Sequence, residues 1–135
     1  MAVDFLDSNV LIYAFTADLR AARAQALLER RCAIGVQGLN EFANVARRKL
    51  NRSWSEIRAH LAAIRVLCPT VIAIDGGIHE AALRLSERHN FAFFDGLMVA
   101  AALRAGSDIL WSEDMHDGRI VDERLRIANP FRTVN

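Results

Sequence analysis

Short apolar runs alternate with longer segments of helical periodicity along this chain. The short runs predict strands at residues 3–6, 33–36, 71–74, 108–112 and 126–131. Apolar positions spaced three and four residues apart predict helices at residues 8–15, 19–31, 37–50, 53–66, 78–89 and 96–105. Because short strands alternate with helices, we expect an α/β fold with a parallel sheet that is covered on both faces.

The helix predicted at residues 37–50 has the clearest pattern. Its apolar residues follow the spacing i, i+3, i+4, i+7 and i+11, and they are Leu39, Phe42, Ala43, Ala46 and Leu50. The following helix begins with a predicted capping box, since Ser53 precedes Glu56 by three residues. These two patterns predict which face of the first helix is buried and where the second helix begins.

Length and composition indicate one compact domain over residues 1–135. The chain has 135 residues and is 53% apolar, which is enough for a hydrophobic core. No apolar run reaches the roughly 18 residues of a membrane span, and the first residues lack a signal-peptide pattern. We therefore expect a cytoplasmic protein without membrane association, in which Cys32 and Cys68 are reduced core residues.

The net charge of +1 conceals an uneven distribution of charge along the chain. Residues 20–65 carry ten basic and three acidic side chains, whereas residues 66–135 carry seven basic and ten acidic ones. A basic half beside an acidic remainder suggests a partner that bears phosphates. An ordinary solvated helix face explains the same distribution equally well.

Acidic residues follow two of the predicted strands, where the sites of parallel sheets usually lie. Asp7 ends the first strand, and Glu113, Asp114 and Asp117 follow the strand at 108–112. Asp95 is the single acid in an apolar stretch and precedes the last predicted helix. Asp7 and Asp95 are also good helix N-caps, and the three later acids also suit a solvated turn.

Glu41 lies in the middle of the helix predicted at residues 37–50. No cationic residue stands three or four positions away, so no ion pair along the helix accounts for it. With Gln37, Asn44 and Arg48 it forms a narrow polar stripe beside the apolar face. The alternative is an ordinary exposed glutamate.

Four carboxylates at one site would repel each other strongly. Two carboxylates about 5 Å apart repel by roughly 3 kcal/mol at an effective dielectric constant of 20. Convergence of Asp7, Glu41, Asp95 and Asp114 would therefore require a cation, and oxygen ligands favour Mg²⁺ or Mn²⁺. The histidines and cysteines are too scattered to form a zinc site. Such a cation suits the cleavage of phosphodiesters.

Five segments, in order, carry a resemblance to a known family. They read FLDSNVLIYAF, LNEFANVARRKL, FFDGLMVAAALRAG, ILWSEDMHDG and RIANPF. This chain resembles the PIN-domain ribonucleases, and among them it looks most like the VapC toxins of bacterial toxin–antitoxin pairs. The resemblance extends over essentially the whole chain. It implies a three-layer α/β/α fold with a short, mainly parallel sheet of four to five strands.

The resemblance also implies site residues. Asp7, Glu41, Asp95 and Asp114 would be the catalytic metal ligands, with Asp117 as a fifth acid. Within the loop, Glu113 and Asp117 are alternatives to Asp114 as the last ligand. Contacts to substrate or to waters on the metal are expected from four polar residues: Ser8, Asn44, Arg48 and Ser112. Basic side chains near residues 47–52 would bind phosphates, although they also suit a solvated helix end.

The activity implied is a Mg²⁺- or Mn²⁺-dependent endoribonuclease that leaves 5′-phosphate and 3′-hydroxyl ends. The implied partners are an RNA substrate, a cognate VapB-type antitoxin protein and a second copy in a homodimer. Two alternatives stay open within the family, an RNA-processing nuclease and a non-catalytic binding module. A third is an aspartyl-phosphate phosphotransfer protein, which would need a lysine near a late strand, whereas the only lysine is Lys49.

Overall fold

The computed structural model describes residues 2–133, which form six short strands and six helices. The strands are β1 (Phe5–Leu6), β2 (Ile34–Gly35), β3 (Val71–Ile72), β4 (Ile109–Trp111), β5 (Ile120–Val121) and β6 (Leu125–Ala128). The helices are α1 (Ser8–Tyr13), α2 (Ala21–Glu29), α3 (Val36–Arg48), α4 (Trp54–Leu67), α5 (Gly76–His89) and α6 (Phe93–Arg104). The predicted alternation of strands and helices is confirmed.

The central sheet has four strands in the order β1-β4-β6-β5. Strands β1, β4 and β6 are parallel, and Phe5 pairs with Leu110 in their register. Strand β5 runs antiparallel to β6 at the edge. Strands β2 and β3 form a separate parallel pair, and a bridge between Phe5 and Ala33 places this pair beside β1. The predicted, mainly parallel sheet is therefore confirmed.

The two faces of the sheet are covered by two hydrophobic clusters. Successive residues of a strand point to opposite faces, and Phe5 and Leu6 accordingly enter different clusters. Phe5 and Leu110 pack with buried residues of α5 and α6, whereas Leu6 and Ile34 pack with residues of α1 to α4. This arrangement is the three-layer α/β/α architecture expected from the resemblance.

Helix starts account for much of the local structure. Ser53 and Glu56 form the predicted capping box at α4, with bonds of 3.1 Å from Glu56 N to Ser53 Oγ and 2.9 Å from Ser53 N to Glu56 Oε1. Asp75 caps α5 by accepting a 2.9 Å hydrogen bond from the backbone N–H of Ile78. On α3 the apolar face is confirmed, because Phe42 and Ala46 are completely buried or nearly so.

Helix α6 begins earlier than the sequence predicts. The prediction placed Asp95 as the cap before a helix at 96–105, but the helix begins at Phe93 and the capping position belongs to Ala92. The backbone N–H of Gly96 already bonds to the carbonyl of Ala92 at 2.9 Å. Asp95 is therefore the third residue of the helix, and the prediction that it is a cap was wrong.

Strand β5 was not predicted either. It belongs to a hairpin with β6 whose turn contains Asp122 and Glu123, both with positive φ. Such turns are usually recognised by asparagine, aspartate or glycine followed by glycine, and here Glu123 stands where that glycine is expected. Cys32 and Cys68 are free and buried, as expected. None of the helices within residues 2–133 combines the length and the apolar character of a membrane span.

Candidate active site

The candidate site lies at the carboxyl ends of β1 and β4. The backbone N–H of Asp7 donates a 3.0 Å hydrogen bond to the carbonyl of Trp111, so the two strands end side by side. Asp7 also caps α1, because its Oδ1 accepts a 2.7 Å bond from the N–H of Ser8. Residues 112–114 follow β4 directly. The edge of the sheet thus brings Asp7 and the acidic loop together.

A short network joins Asp7 to Asp114. Ser112 Oγ donates to Asp7 Oδ2 at 2.7 Å and accepts a 3.3 Å bond from the N–H of Asp114. Asn9 Nδ2 donates to Asp7 Oδ2 at 3.4 Å and to Asp114 Oδ2 at 3.2 Å. One amide group therefore spans both carboxylates.

Glu41 reaches the same site from α3. Its Oε2 accepts a 3.1 Å hydrogen bond from Ser8 Oγ, and its Oε1 accepts a 2.9 Å bond from Gln37 Nε2. Gln37 Nε2 also donates to the carbonyl of Phe94 at 3.0 Å, in the first turn of α6. These bonds tie α1, α3 and α6 together around the carboxylates.

Asp95 is half-buried in the first turn of α6, where the helix dipole favours a negative charge. Its pKa is raised by burial and by the charges of Asp114 and Glu41, while His116 lowers it. Asp95, Asp114 and His116 also line one small cavity of about 70 Å³. Asp95 therefore lies beside Asp114, and its pKa also responds to the charge of Glu41.

Asp7 is the most perturbed carboxyl group of the site. Only 6% of its surface is exposed, and its pKa is raised to about 6. Burial is the main cause, and the charges of Glu41 and Asp114 add to it. The hydrogen bonds from Ser112 and Ser8 oppose this rise. Perturbed carboxyl groups of this kind are typical of functional sites.

Comparison with known protein families identifies the family of this chain. The model of the PIN domain family matches residues 5–118. The chain belongs to the PIN domain family. A search of curated proteins finds no match at the significance required. Family membership therefore rests on the family model, and the solved structures add the fold.

Three solved structures illustrate the shared fold of this PIN domain. A toxin–antitoxin complex from Klebsiella pneumoniae is 18% identical, with a TM-score of 0.72 over 94% of this chain and 97% of that chain. Mycobacterium tuberculosis VapC20, described as a sarcin–ricin loop cleaving toxin, is 19% identical, with a TM-score of 0.66 over 82% and 91%. Rickettsia felis VapBC2, bound to a promoter DNA fragment, is 16% identical, with a TM-score of 0.66 over 93% and 97%.

The carboxylates of the PIN domain fit a hard divalent cation by their chemistry. All four are oxygen donors. The pKa values of Asp7 and Asp95 are raised mainly by burial and further by the charges of Glu41 and Asp114, and a bound cation would oppose both effects. Across residues 2–133, no three His, Cys, Asp or Glu side chains are already grouped closely enough to hold a metal. Mg²⁺ does not need such a cage, because it keeps several waters and often uses one or two carboxylates.

Glu113, the alternative loop acid, has partners outside the carboxylate group. Its Oε1 accepts a 2.7 Å bond from the hydroxyl of Tyr13, and its Oε2 pairs with Arg20 Nε at 2.7 Å. Burial and the bond to Glu113 raise the pKa of Tyr13 to about 12. Of the two neighbouring acids, the geometry therefore brings Asp114, rather than Glu113, to Asp7.

Asp117 also has partners of its own. Its Oδ1 accepts a 2.8 Å hydrogen bond from the N–H of Asn129, and its Oδ2 lies 3.1 Å from Arg132 Nη1. The charges that raise the pKa of Asp7 and Asp95 come from Glu41 and Asp114. The geometry gives Asp117 a role in the loop after β4 and no observed link to the four acids.

The predicted contact residues on α3 lie along its exposed side. Asn44 and Arg48 are exposed, and together with Lys49 they line an open cleft of about 240 Å³. Arg47 is engaged elsewhere, because its guanidinium lies 4.8 Å from the ring centre of Trp54. Arg48 and Lys49, the residue after the end of α3, are thus the basic groups that line this open cleft.

Sequence reasoning missed two residues that organise the site. Asn9 bridges two of the acids, and Gln37 links Glu41 to α6. Gln37 belonged to the predicted polar stripe, but no role followed from that. The available signal for Asn9 was its position two residues after Asp7, at the start of a buried helix.

Proposed function

We propose that this PIN domain is a Mg²⁺- or Mn²⁺-dependent endoribonuclease and the toxin of a type II toxin–antitoxin pair. One observation carries the proposal. Asp7, Glu41, Asp95 and Asp114 come from four separate elements of the fold, and the charges of Glu41 and Asp114 raise the pKa of both other acids. Membership of the PIN domain family supports the same activity.

In this proposal the four acids would hold the cation, either directly or through the waters that it keeps. Such a cation would supply an activated water and would neutralise charge on the phosphate and the leaving oxygen. Ser8, Asn9 and Ser112 orient the carboxylates through the hydrogen bonds described above. Asn44, Arg48 and Lys49 bind phosphates further along α3, where their cleft is open. Asp117 has no part in this scheme, because its carboxylate is paired with Arg132.

The toxin role rests on likeness of fold. One similar structure is described as a toxin–antitoxin complex, a second as VapBC2 bound to a promoter DNA fragment, and a third as a sarcin–ricin loop cleaving toxin. By this likeness we assign a VapB-type antitoxin as partner, single-stranded or loop RNA as substrate, and a homodimer in the cytoplasm. The whole chain, residues 1–135, is proposed to be one PIN domain.

Cleavage of labelled single-stranded RNA by the purified protein tests the activity. Wild type should cut RNA with Mg²⁺ or Mn²⁺ and should stop when EDTA is added. Asp95→Asn should be inactive but folded, while Glu87→Gln, which alters an exposed acid of α5, should keep full activity. Metal-independent cleavage, or full activity of Asp95→Asn, would refute the proposal. RNA binding without cleavage would instead indicate a binding module.

The toxin role needs a separate test in cells. Induced expression of wild type should arrest growth, and Asp95→Asn should not. Co-expression of the small protein encoded next to this gene should restore growth. If a nuclease-active wild type leaves growth unaffected, the ribonuclease stands and the toxin role falls.

A further inference from the structure

An apolar cleft lies against the carboxylate site. It has a volume of about 400 Å³ and is lined by Gln37, Asn40, Glu41, Ile74, Phe94 and Leu97. Phe94 is the unusual member, because 69% of this large aromatic side chain is exposed. Because this exposed ring borders a cleft, it offers a face on which a planar group can stack.

The cleft is continuous with the four acids. Glu41 belongs to both, and Phe94 immediately precedes Asp95. Gln37 Nε2 bonds to Glu41 Oε1 at 2.9 Å and to the Phe94 carbonyl at 3.0 Å, which holds the cleft wall against the site. Any molecule with a phosphodiester at the acids would therefore place its adjoining group beside Phe94.

The lining of the cleft selects the kind of group that fits. It offers an aromatic face, the aliphatic side chains of Ile74 and Leu97 and the amide of Asn40, with no basic side chain among the lining residues. A phosphate is thus unsuited to the cleft, whereas a flat ring with polar edges suits it. The basic residue Arg48 lies seven residues beyond Glu41 on α3, about 10 Å along the helix axis.

A polar atom at the cleft wall also lacks a partner. Gln37 is only 9% exposed, and its Oε1 is buried without a hydrogen bond to any residue in 2–133. A buried acceptor left unpaired is unfavourable. An N–H donor on the edge of a bound ring would relieve this cost after a small local adjustment.

We propose that the Phe94 cleft binds an unpaired nucleobase of the RNA substrate, next to the phosphodiester that is cut. The base stacks on Phe94 and directs its donor edge towards the amides of Gln37 and Asn40. Phe94 is then a positioning residue that favours single-stranded RNA, since a base within a duplex cannot enter the cleft. This inference rests on the proposed ribonuclease activity and adds a base-binding site to it.

Binding of short labelled RNA, followed by fluorescence anisotropy, tests the inference. All variants carry Asp7→Asn so that the RNA stays intact. Phe94→Leu keeps the apolar volume but removes the ring, and should weaken binding of single-stranded RNA by about 10- to 100-fold. Phe94→Trp should bind as tightly as Phe94, or more tightly. Val66→Ala is the matched control, because Val66 is 72% exposed on α4 and should not matter.

An abasic nucleotide gives the decisive comparison. RNA with one base removed at the cut site should bind wild-type Phe94 and Phe94→Leu equally weakly, because the stacking partner is absent in both. Equal affinity of Phe94 and Phe94→Leu for intact RNA would overturn the inference. So would a change in dimerisation or antitoxin binding on Phe94→Leu with RNA affinity unchanged.

Cleavage assays separate this inference from the activity on which it rests. If wild type and Phe94→Leu cut RNA with the same KM, the ribonuclease stands and the base site falls. If the inference holds, Phe94→Leu should raise KM more than it lowers kcat, and Phe94→Trp should restore KM. Absence of metal-dependent cleavage in wild type would defeat the proposed function itself.

Discussion

Ser112 Oγ donates a 2.7 Å hydrogen bond to Oδ2 of Asp7, and both residues are buried. This bond is the largest influence that opposes the effect of burial on Asp7. It also crosses from the loop after β4 to the end of β1. A neutral serine thus makes it easier for the most buried acid of the site to ionise.

Ser112→Ala should raise the pKa of Asp7 further above its value of about 6 in the metal-free protein, because the ionised form loses its best hydrogen bond. Carboxyl ¹³C NMR over a pH titration measures this directly. Ser107→Ala is the control, since Ser107 is equally buried and its hydroxyl has no partner in the described chain. An unchanged Asp7 titration in Ser112→Ala would contradict the assignment of this bond.

Asp7→Asn should abolish cleavage and at the same time stabilise the metal-free fold at neutral pH. The folded pKa of about 6 exceeds the ordinary value of 3.8, so the folded state holds the proton more tightly than the unfolded state. Wild-type stability should therefore fall as pH rises from about 4 through about 6, by up to about 3 kcal/mol. Asparagine removes this loss and keeps the helix cap.

Thermal unfolding in EDTA between pH 4 and pH 8 checks this prediction. The wild-type midpoint should decline over that range relative to Asp7→Asn, and added Mg²⁺ should recover it in wild type only. If Asp7→Asn unfolds at a lower temperature than wild type at pH 8, ionisation of Asp7 does not destabilise the fold and the prediction is wrong.

The three acids after β4 should behave differently when neutralised. If Asp114 holds the cation, Asp114→Asn should reduce cleavage by at least about 10- to 100-fold, the loss typical of removing even a residue that only supports a metal ligand. Glu113→Gln should act mainly on stability through Tyr13 and Arg20, and Asp117→Asn through Arg132. Measuring kcat beside the unfolding midpoint for each variant separates the two effects. If only Asp117→Asn lowers kcat, then Asp117, rather than Asp114, is the metal ligand in this loop.

Gly96→Ala should destabilise the protein by about 1–3 kcal/mol, the usual cost of overpacking. A Cβ there would clash with Ser86 Oγ and lie 2.9 Å from the carbonyl of Ala82, so α6 would have to move away from α5. Because Asp95 precedes Gly96, cleavage should fall as well. Gly76→Ala is the control, because a Cβ added at position 76 has no atom within 4 Å. This substitution should leave the stability unchanged or increase it slightly. Chemical denaturation gives both values.

Local signals in the sequence predicted the elements that depend on neighbouring residues. The capping box at Ser53 and the apolar face of α3 are visible in the sequence because each involves residues a few positions apart. Asp7 was predictable as a cap for the same reason. Asp95 misled this reasoning, because the aromatic pair before it resembles the end of a strand but forms the first turn of α6.

The candidate site itself depends on contacts between distant parts of the chain. The bond from Ser8 to Glu41 spans 33 positions, and that from Asn9 to Asp114 spans 105. No periodicity encodes such distances, so convergence of the acids could be expected only from the rule for parallel sheets and from family resemblance. The hairpin of β5 and β6 was missed because its turn uses Asp122 and Glu123 in place of glycine.

Asn9 has a consequence for how the protein is assembled. Its Nδ2 lies 3.4 Å from Oδ2 of Asp7 and 3.2 Å from Oδ2 of Asp114. In the metal-free protein, both carboxylates therefore accept a hydrogen bond from the same amide. We therefore expect the chain to fold without the cation and to bind it afterwards. Chelation should then act as a reversible off-switch that leaves an intact protein, ready for reloading, rather than as a route to denaturation.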